Sequence, residues 1–353
     1  MKNIKSTLKK IIKGICFTAI FFVLLYFFQS ILQAKWFVGG DDNTANTDCF
    51  SEYRNLKENS LDVLFVGTSH ILYGVDPMYI YENSGICGYD LTGPGMRMDL
   101  AYLIVEDALK TQKPQVLFLD MSGIQFMDQQ TEGKSHKVAD QLPLTASKIE
   151  YAFNNGNEEL DPLSVMFPFF RYHARWNDLQ PEDYDYTFGR LEPSFVRGHH
   201  IDFKAVHAEF KFEKDKEGYE LTDRNREYLD RIVEICEKND VELVLMKIPN
   251  PTWRRVYSET AKQYADEKGV KYLEFYYELE EIGFDSDTDF KDKTDHLNQY
   301  GAEKFSEHLM KYIQANYTIE DKRGVYTDWD EDLVKYKSYY EQLEKEAVEE
   351  SKK

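Results

Sequence analysis

The chain has 353 residues, a formal net charge of -20 and an isoelectric point near 4.9. This charge argues against nucleic acid and anionic lipid headgroups as main partners, because like charges repel and no basic patch compensates. The four cysteines form no Cys-x-x-Cys pair and there is no His-Glu-x-x-His motif, so we expect neither a metal nor another cofactor. Cys49 and Cys87 could pair in an oxidising compartment, although free thiols are the expectation.

The N-terminal segment predicts a membrane anchor. Five lysines up to Lys13 precede an apolar stretch from Ile15 to Leu32. About 20 apolar residues span a bilayer as a helix, and the positive flank is expected on the cytoplasmic side. We therefore predict a cytoplasmic tip and transmembrane anchor at 1–38, a linker at 39–58, and a single-pass cell-membrane protein whose main domain is extracytoplasmic. A cleaved signal peptide is the alternative, but the apolar run is longer than a usual signal core.

Between 59 and 316, apolar β-rich runs alternate with segments of helical periodicity. The runs predict strands at 63–66, 89–91, 116–119, 241–246 and 270–275. Apolar residues at helical spacing predict helices that include 101–108, 229–236 and 305–313. This alternation is typical of the α/β class and predicts a three-layer, flavodoxin-like parallel sheet with helices on both faces.

Two regions depart from this alternation. Residues from about 124 to 220 are rich in aromatic, proline and charged residues, and so long an unpatterned stretch in a compact domain is usually functional or disordered. We predict an ordered insertion that forms a lid over the sheet edge. Its His173, Arg175 and Trp176 could bind substrate in a sugar-binding cleft, or belong to a packed lid with surface charges. From 317 to 353, the charged C-terminal tail predicts a solvated helix or a frayed end.

The predicted catalytic residues follow the first strand and precede the last helix. Ser69 comes three residues after Val66, where parallel sheets place reacting groups at the carboxyl ends of strands. A serine hydroxyl is a weak nucleophile and needs a neighbouring base, which in turn needs an orienting group. His296 is the predicted base, with Asp292 or Asp295 as the orienting acid. Ser69 could instead cap the helix that follows it, and Asp295 could cap the last helix.

The reaction also needs hydrogen-bond donors aimed at the developing oxyanion. The second predicted strand runs into Leu-Thr-Gly-Pro-Gly at 91–95, a turn that could present the Gly95 N–H beside the Ser69 N–H. Alone, such a turn is as often structural as functional.

With these residues in this order, the chain resembles the SGNH, or GDSL-like, hydrolase family. Gly-Thr-Ser at 67–69 looks like that family's nucleophile block, Gly95 is placed like its second oxyanion glycine, and 292–296 looks like its last block. The resemblance covers most of 60–316 apart from the insertion. Its specific part is the order, with the nucleophile first and the histidine last. The string Asp-His-Leu-Asn-x-x-Gly-Ala at 295–302 looks most like membrane-anchored bacterial members.

Two positions depart from the family's pattern. Its third block carries an asparagine as a further oxyanion donor, but this chain has Asp-Met-Ser-Gly-Ile-Gln there, so either Ser122 or Gln125 substitutes or the third donor is missing. The family's aspartate lies three residues before the histidine, where this chain has a lysine. The orienting acid therefore stays open between Asp292 and Asp295, and a Ser-His dyad stays an alternative.

The resemblance implies serine-dependent acyl transfer or ester hydrolysis outside the cytoplasm. Membrane-anchored relatives are associated with O-acetylation of cell-surface polysaccharides and with D-alanyl transfer to teichoic acids, which implies a surface glycan or related polymer as acceptor and a membrane acyl-donor protein as a further partner. Ser69 would attack the acyl carbonyl, His296 would move the proton, and the N–H groups of Ser69 and Gly95 would hold the oxyanion. The competing hypothesis is a non-catalytic glycan-binding or assembly subunit with a degenerate SGNH fold.

Overall fold

The domain is built on one parallel sheet. A computed structural model describes residues 2–33, 49–126, 132–156, 159–188, 195–210 and 218–352. Within these ranges five parallel strands pair in the order β2-β1-β3-β4-β5. They are β1 (Val63–Gly67), β2 (Gly88–Thr92), β3 (Val116–Asp120), β4 (Glu242–Lys247) and β5 (Lys271–Glu274). This is the flavodoxin-like order, so the predicted α/β class and parallel sheet are confirmed.

The described helices alternate with these strands and also fill the insertion. They are α1 (Lys2–Leu32), α2 (Cys49–Asn55), α3 (Ser69–Gly74), α4 (Pro77–Ser84), α5 (Met98–Ala108), α6 (Glu132–Ala139), α7 (Ala146–Asn154), α8 (Pro162–Met166), α9 (Phe169–Tyr172), α10 (Pro181–Thr187), α11 (Asp223–Lys238), α12 (Arg255–Lys268), α13 (Leu279–Ile282), α14 (Gln299–Asn316) and α15 (Thr327–Glu350). Short 3-10 helices lie at Met121–Gln125, Arg175–Asn177 and Phe275–Tyr277.

Helices cover both faces of the sheet, as the continuous apolar strands require. Successive side chains of a strand point to opposite faces. Leu64 and Val66 therefore join the core beneath α5 and α11, whereas Val63 and Phe65 join the core beneath α14. The predicted helices at 101–108, 229–236 and 305–313 lie within these three helices.

The turn after β1 allows a helix to start within two residues of the strand. A Cβ added to Gly67 would lie 2.5 Å from Cγ1 of Ile71 and 2.8 Å from Cβ of Asp120, so a larger residue does not fit. Thr68 caps α3, because its side chain accepts a hydrogen bond from the N–H of His70. Ser69 is consequently the first residue of α3, at the carboxyl end of a central strand.

α1 is long and apolar enough to cross a membrane. The candidate span covers Lys5–Leu32, 28 residues, and fits either an anchor or a signal sequence by length and composition. Residues 34–48, which include most of the predicted linker, lie outside the described residues. The rest of that linker contains α2, which buries Phe50 and Tyr53 in the core. Cys87 is a buried free thiol, as the sequence led us to expect.

The C-terminal tail differs from the sequence prediction. The predicted helix is present as α15, but it is not solvated all round, because Trp329 and Tyr336 are buried against the core. The Trp329 ring packs 5.0 Å from that of Tyr81 and 4.4 Å from the guanidinium of Arg197, measured to ring centroids. The tail is therefore part of the domain's hydrophobic core.

Substituting Trp329→Ala should lower the free energy of unfolding by about 3–5 kcal/mol, since a fully buried indole leaves a cavity. Val334 on the same helix is 71% exposed, so Val334→Ala should stay within about 0.5 kcal/mol. Urea unfolding of the full chain in detergent measures both values. Equal stability of the two variants would show that α15 is not docked.

Candidate active site

Ser69, His296 and Asp292 form a hydrogen-bonded chain at the carboxyl end of β1. Oγ of Ser69 lies 2.8 Å from Nε2 of His296. Nδ1 of His296 lies 2.6 Å from Oδ2 of Asp292. Because a carboxylate can only accept, Nδ1–H donates to Asp292, and Nε2 is left to accept the serine proton. This is the arrangement that a serine nucleophile, its base and an orienting acid require.

The loop before α14 is folded around Asp292. Its Oδ1 accepts hydrogen bonds from the backbone N–H groups of Thr294, Asp295 and His296, at 3.0, 2.7 and 3.2 Å. Burial alone would raise the pKa of Asp292, but the His296 contact and the backbone N–H groups outweigh it and hold that pKa well below its usual range. Asp292 is therefore a carboxylate that both shapes the loop and receives the imidazole N–H.

Asp295 has other partners. Its carboxylate accepts hydrogen bonds from the hydroxyls of Thr252 at 2.7 Å and Thr294 at 3.3 Å. It does not cap α14 either, because Asn298 does so by accepting a hydrogen bond from the N–H of Gly301. The structure thus brings Asp292 to the histidine and leaves Asp295 connecting the same loop to the segment after β4.

The Gly-Pro-Gly turn lies beside the nucleophile block. The N–H of Gly93 donates to the carbonyl of Gly67 at 3.1 Å, which fixes the turn next to the end of β1. Gly95 has a φ of +55°, in the left-handed region that favours glycine. Gln125 is half-buried at the end of the 3-10 helix after β3. The oxyanion roles of Gly95, Gln125 and the Ser69 N–H stay predictions.

Ser122, the other candidate for a third donor, is engaged in the interior. Its Oγ lies 2.7 Å from Nδ1 of His70 and 2.8 Å from Nζ of Lys247. Asn250 Nδ2 donates to Nε2 of His70 at 3.0 Å, so the proton of the neutral imidazole is on Nδ1 and bonds Ser122. Ser122 is fully buried and serves as a link in this polar network rather than as an oxyanion donor.

The network continues from the interior to the catalytic loop. At its inner end, Nζ of Lys247 lies 3.6 Å from Oδ1 of Asp120, and both side chains are completely buried. At its outer end, Asn250 Nδ2 also donates to Oγ1 of Thr252 at 3.3 Å, and the Thr252 hydroxyl donates to Asp295. A continuous chain of polar contacts therefore joins the ends of β3 and β4 to the loop that carries His296.

His70 lies between this network and the base. Its ring centroid is 5.5 Å from that of His296. Burial lowers the pKa of His70 well below its usual range, and the neighbouring charge of Lys247 adds to the effect. The base is thus packed against a second imidazole that stays neutral.

The returning end of the insertion borders the site. The N–H of His200 donates to the carbonyl of Leu72 at 2.9 Å, and the His200 ring packs 5.0 Å from that of Tyr73. Tyr73 packs edge-on against His296 at 5.1 Å, and Nζ of Lys291 lies 3.7 Å from the Tyr73 ring centroid. These residues form an aromatic and basic wall.

Among the described residues, no group of three or more His, Cys, Asp or Glu side chains is placed to hold a metal ion.

The predicted substrate-binding residues lie elsewhere in the insertion. Arg175 donates to the last carbonyls of α1 and to Asp183. Nδ1 of His173 lies 2.9 Å from the carbonyl of Phe170, and Trp176 is exposed. In the described part of the chain, the hydrogen bonds of Arg175 and His173 lead to α1 and to the insertion, and the structure does not bring these residues to the triad.

No protein-family model matches the chain, and no curated protein matches it. Several of the solved structures that it resembles are GDSL-like and SGNH-hydrolase proteins. A GDSL-like lipase from Bacteroides thetaiotaomicron aligns with 76% of this chain and 96% of its own, at 8% identity and a TM-score of 0.35. AlinE4, an SGNH-hydrolase family esterase, aligns with 74% of this chain and 99% of its own, at 12% identity and a TM-score of 0.30. At these values the likeness says nothing about substrate or reaction.

Asp292→Ala should reduce the rate of serine acylation by about 10²- to 10⁴-fold, because His296 loses the group that fixes its tautomer and stabilises its protonated form. The matched control is Asp295→Ala, which leaves the His296 contact intact and should cost much less. Stopped-flow acylation by an activated acetyl ester measures both rates. A larger loss in Asp295→Ala would assign the orienting role to Asp295.

Acidification should destabilise the fold through His70. Because its folded pKa is depressed, the neutral form stabilises the protein above the unfolded pKa of about 6.5, and that stability is lost as pH falls. Between pH 6.5 and 5.5, the wild type should lose about 1 kcal/mol more unfolding free energy than His70→Gln. Urea titrations at both pH values measure the difference, and parallel losses in the two proteins would rule out a buried neutral imidazole.

Proposed function

We propose that this protein is a membrane-anchored serine esterase or acyltransferase that acts outside the cytoplasm through an acyl-Ser69 intermediate. The observation that carries the proposal is the unbroken contact from Ser69 to His296 to Asp292, at 2.8 and 2.6 Å. These distances fall within the range that proton transfer between positioned side chains needs. The nucleophile also occupies the carboxyl end of a central parallel strand, where this class of sheet binds its ligands.

The first half of the reaction forms the acyl-enzyme. Oγ of Ser69 attacks the acyl carbonyl while its proton passes to Nε2 of His296, and the positive charge on the imidazolium is stabilised by Asp292. The N–H groups of Ser69 and Gly95 hold the negative oxygen of the tetrahedral intermediate. The intermediate collapses when the bond to the leaving oxygen breaks and His296 returns its proton to that oxygen.

The second half decides between hydrolysis and transfer. Nε2 of His296 accepts a proton from the acceptor hydroxyl as that oxygen attacks the acyl-serine. The acyl–Oγ bond then breaks, and His296 donates the proton to Oγ of Ser69. Water as acceptor gives an acid, whereas a sugar hydroxyl gives a new ester. We propose an acetyl group and a cell-surface glycan or related polymer as acceptor, with a membrane protein supplying the acyl donor. The apolar helix α1 supports a site that works next to the membrane, and the resemblance to membrane-anchored SGNH proteins supports the glycan.

The full chain in detergent should show a burst of product with p-nitrophenyl acetate and then carry one acetyl group on Ser69, identified by mass spectrometry of the acid-quenched peptide. Ser69→Ala should lose the burst and the acetylated peptide. Ser338→Ala, an exposed serine on α15, is the matched control and should keep both.

A fluorophosphonate probe supplies an independent readout, because it reacts with an activated serine whatever the natural acyl group is. Labelling of Ser69 that depends on His296 supports the proposal. Failure to label Ser69 in a folded protein would contradict it and favour the non-catalytic assembly subunit.

To separate transfer from hydrolysis, isotopically labelled acetyl ester is supplied with a neutral polysaccharide, and label on the polymer indicates transfer.

A further inference from the structure

The outer end of α1 lies against the insertion. Oγ of Ser30 lies 3.1 Å from Oγ1 of Thr187, and the ring centroids of Phe27 and Phe188 are 6.4 Å apart. Leu32, at the end of the helix, is buried, unlike most apolar residues of α1. The last turns of α1 are therefore packed against α10 and the residue that follows it.

Polar contacts fix this junction. Arg175 donates from Nη1 to the carbonyls of Leu32 and Gln33, at 3.1 and 3.0 Å, which satisfies acceptors that a helix end leaves open. The same guanidinium makes a two-pronged ion pair with Asp183, with both N–O distances at 2.9 Å. In addition, Nε2 of Gln33 donates to the carbonyl of Asp140 at 2.8 Å. Three separate segments, at 140, 175 and 183, thus meet at the end of α1.

The depth of the contact follows from helix geometry. Phe27 precedes Leu32 by five residues, which at 1.5 Å per residue places it about 7.5 Å below the end of the helix. The candidate span runs to Leu32. A ring that packs beside Phe27 is therefore level with apolar residues of the span. Phe188 is consequently level with residues of the candidate span.

Large aromatic side chains surround this contact and face outwards. Phe170 is 53% exposed, Trp176 is 65% exposed and Phe188 is 55% exposed. They belong to α9, the adjoining 3-10 helix and the end of α10, and both α9 and α10 pack on α1. Tryptophan is enriched at the membrane–water interface, and tryptophan and phenylalanine form the apolar face of helices that lie in that layer. Left in water, the same cluster would be an aggregation hazard.

We propose that the segment from 169 to 188 is a membrane-docking surface, with Phe170, Trp176 and Phe188 inserted into the outer lipid interface around α1. This proposal rests on the anchoring role of α1 in the proposed function. The partner is the lipid itself, bound through apolar and aromatic contact. Anionic headgroups are not required, because the net charge of -20 opposes them. The docked domain then presents Ser69 at a fixed height and orientation above the membrane, which suits acyl donors delivered from it.

The test uses the full chain reconstituted in phosphatidylcholine vesicles, with one spin label in each sample. Labels are attached at Phe170→Cys, Trp176→Cys or Phe188→Cys in a Cys16→Ser, Cys49→Ser background, which leaves the buried thiols Cys87 and Cys236 in place. Power saturation compares collisions with oxygen, which concentrates in lipid, and with a water-soluble nickel chelate. Lys262→Cys is the control, because Lys262 lies on an exposed, charged helix face. Thermal melting confirms that each labelled chain is folded.

Lipid insertion predicts that the three aromatic positions have a several-fold higher ratio of oxygen to nickel collisions than position 262. Equal ratios, in a chain that stays in the vesicles at full length, would overturn the docking surface and leave the anchor intact. Protection from both reagents with spin–spin broadening would overturn it in favour of contact with a second copy. Cleavage of α1 from the chain would remove the anchor and so overturn the docking proposal as well. Fluorophosphonate labelling of Ser69 would still test the serine chemistry separately.

Discussion

β1, β3 and β4 lie side by side in parallel, with Val66 opposite Leu119 and Asp120 opposite Met246. Their carboxyl ends therefore lie at one edge, and the residues that leave those ends are forced into contact. Ser69 leaves β1, and Lys247 ends β4. Each strand is apolar up to this edge and polar at or just beyond it, so the burial that stabilises the sheet also fixes where the polar groups gather. Among these polar groups, the triad lies towards the surface and the buried network lies in the interior.

Burying the charged groups of the interior network costs free energy. Lys247 and Asp120 are both removed from water, and a buried ion pair of this kind is weak evidence for stability, because desolvation offsets much of the attraction. The effect of this ion pair on the site is to orient the side chains of Ser122 and His70. The ammonium donates to Oγ of Ser122, and that oxygen in turn receives Nδ1–H of His70. The His296 ring packs against the resulting neutral His70 ring. The orientation of His296 therefore depends on the charges of Lys247 and Asp120, which act through Ser122 and His70.

Much of the sheet and of the triad was predictable from the sequence, because both follow from short-range patterns. The strands are apolar runs, and the order of Ser69 and His296 along the chain fits the edge of a parallel sheet. The choice between Asp292 and Asp295 was not predictable. Both flank Lys293, and the decision depends on a tight turn in which Asp292 collects three backbone N–H groups. Such a turn leaves no periodic signal.

Other features left a signal that was open to a different interpretation. Lys247 ends an apolar run, as Asp120 does, and the pairing of two such residues on neighbouring strands predicts a buried contact. Trp329 and Tyr336 are seven residues apart, a helical spacing that indicates a buried face within an otherwise charged tail. The aromatic and basic residues at 169–176 fit a sugar-binding cleft and a membrane interface equally well, since both favour flat rings beside a few donors. Contact with α1 supports the membrane interface that we propose, and the sugar-binding role stays a prediction.

The net charge of the protein bears on the kind of acceptor that the proposed function requires. The protein carries a net charge of -20, and its charges sum into a field that repels polymers of the same sign over about 8 Å at physiological ionic strength. Among the described residues near the site, Nζ of Lys291 is bound to Asp202 at 2.7 Å, and a Cβ added to Gly95 would lie 3.3 Å from Nζ of Lys134. An anionic polymer would have to approach the site against this field, whereas a neutral glycan would not. In the function that we propose, a domain held at the membrane by α1 would meet its donor and acceptor within a thin layer, so local concentration would replace electrostatic attraction. For the acceptor that we propose, the net charge therefore favours a neutral glycan over a phosphate-rich polymer.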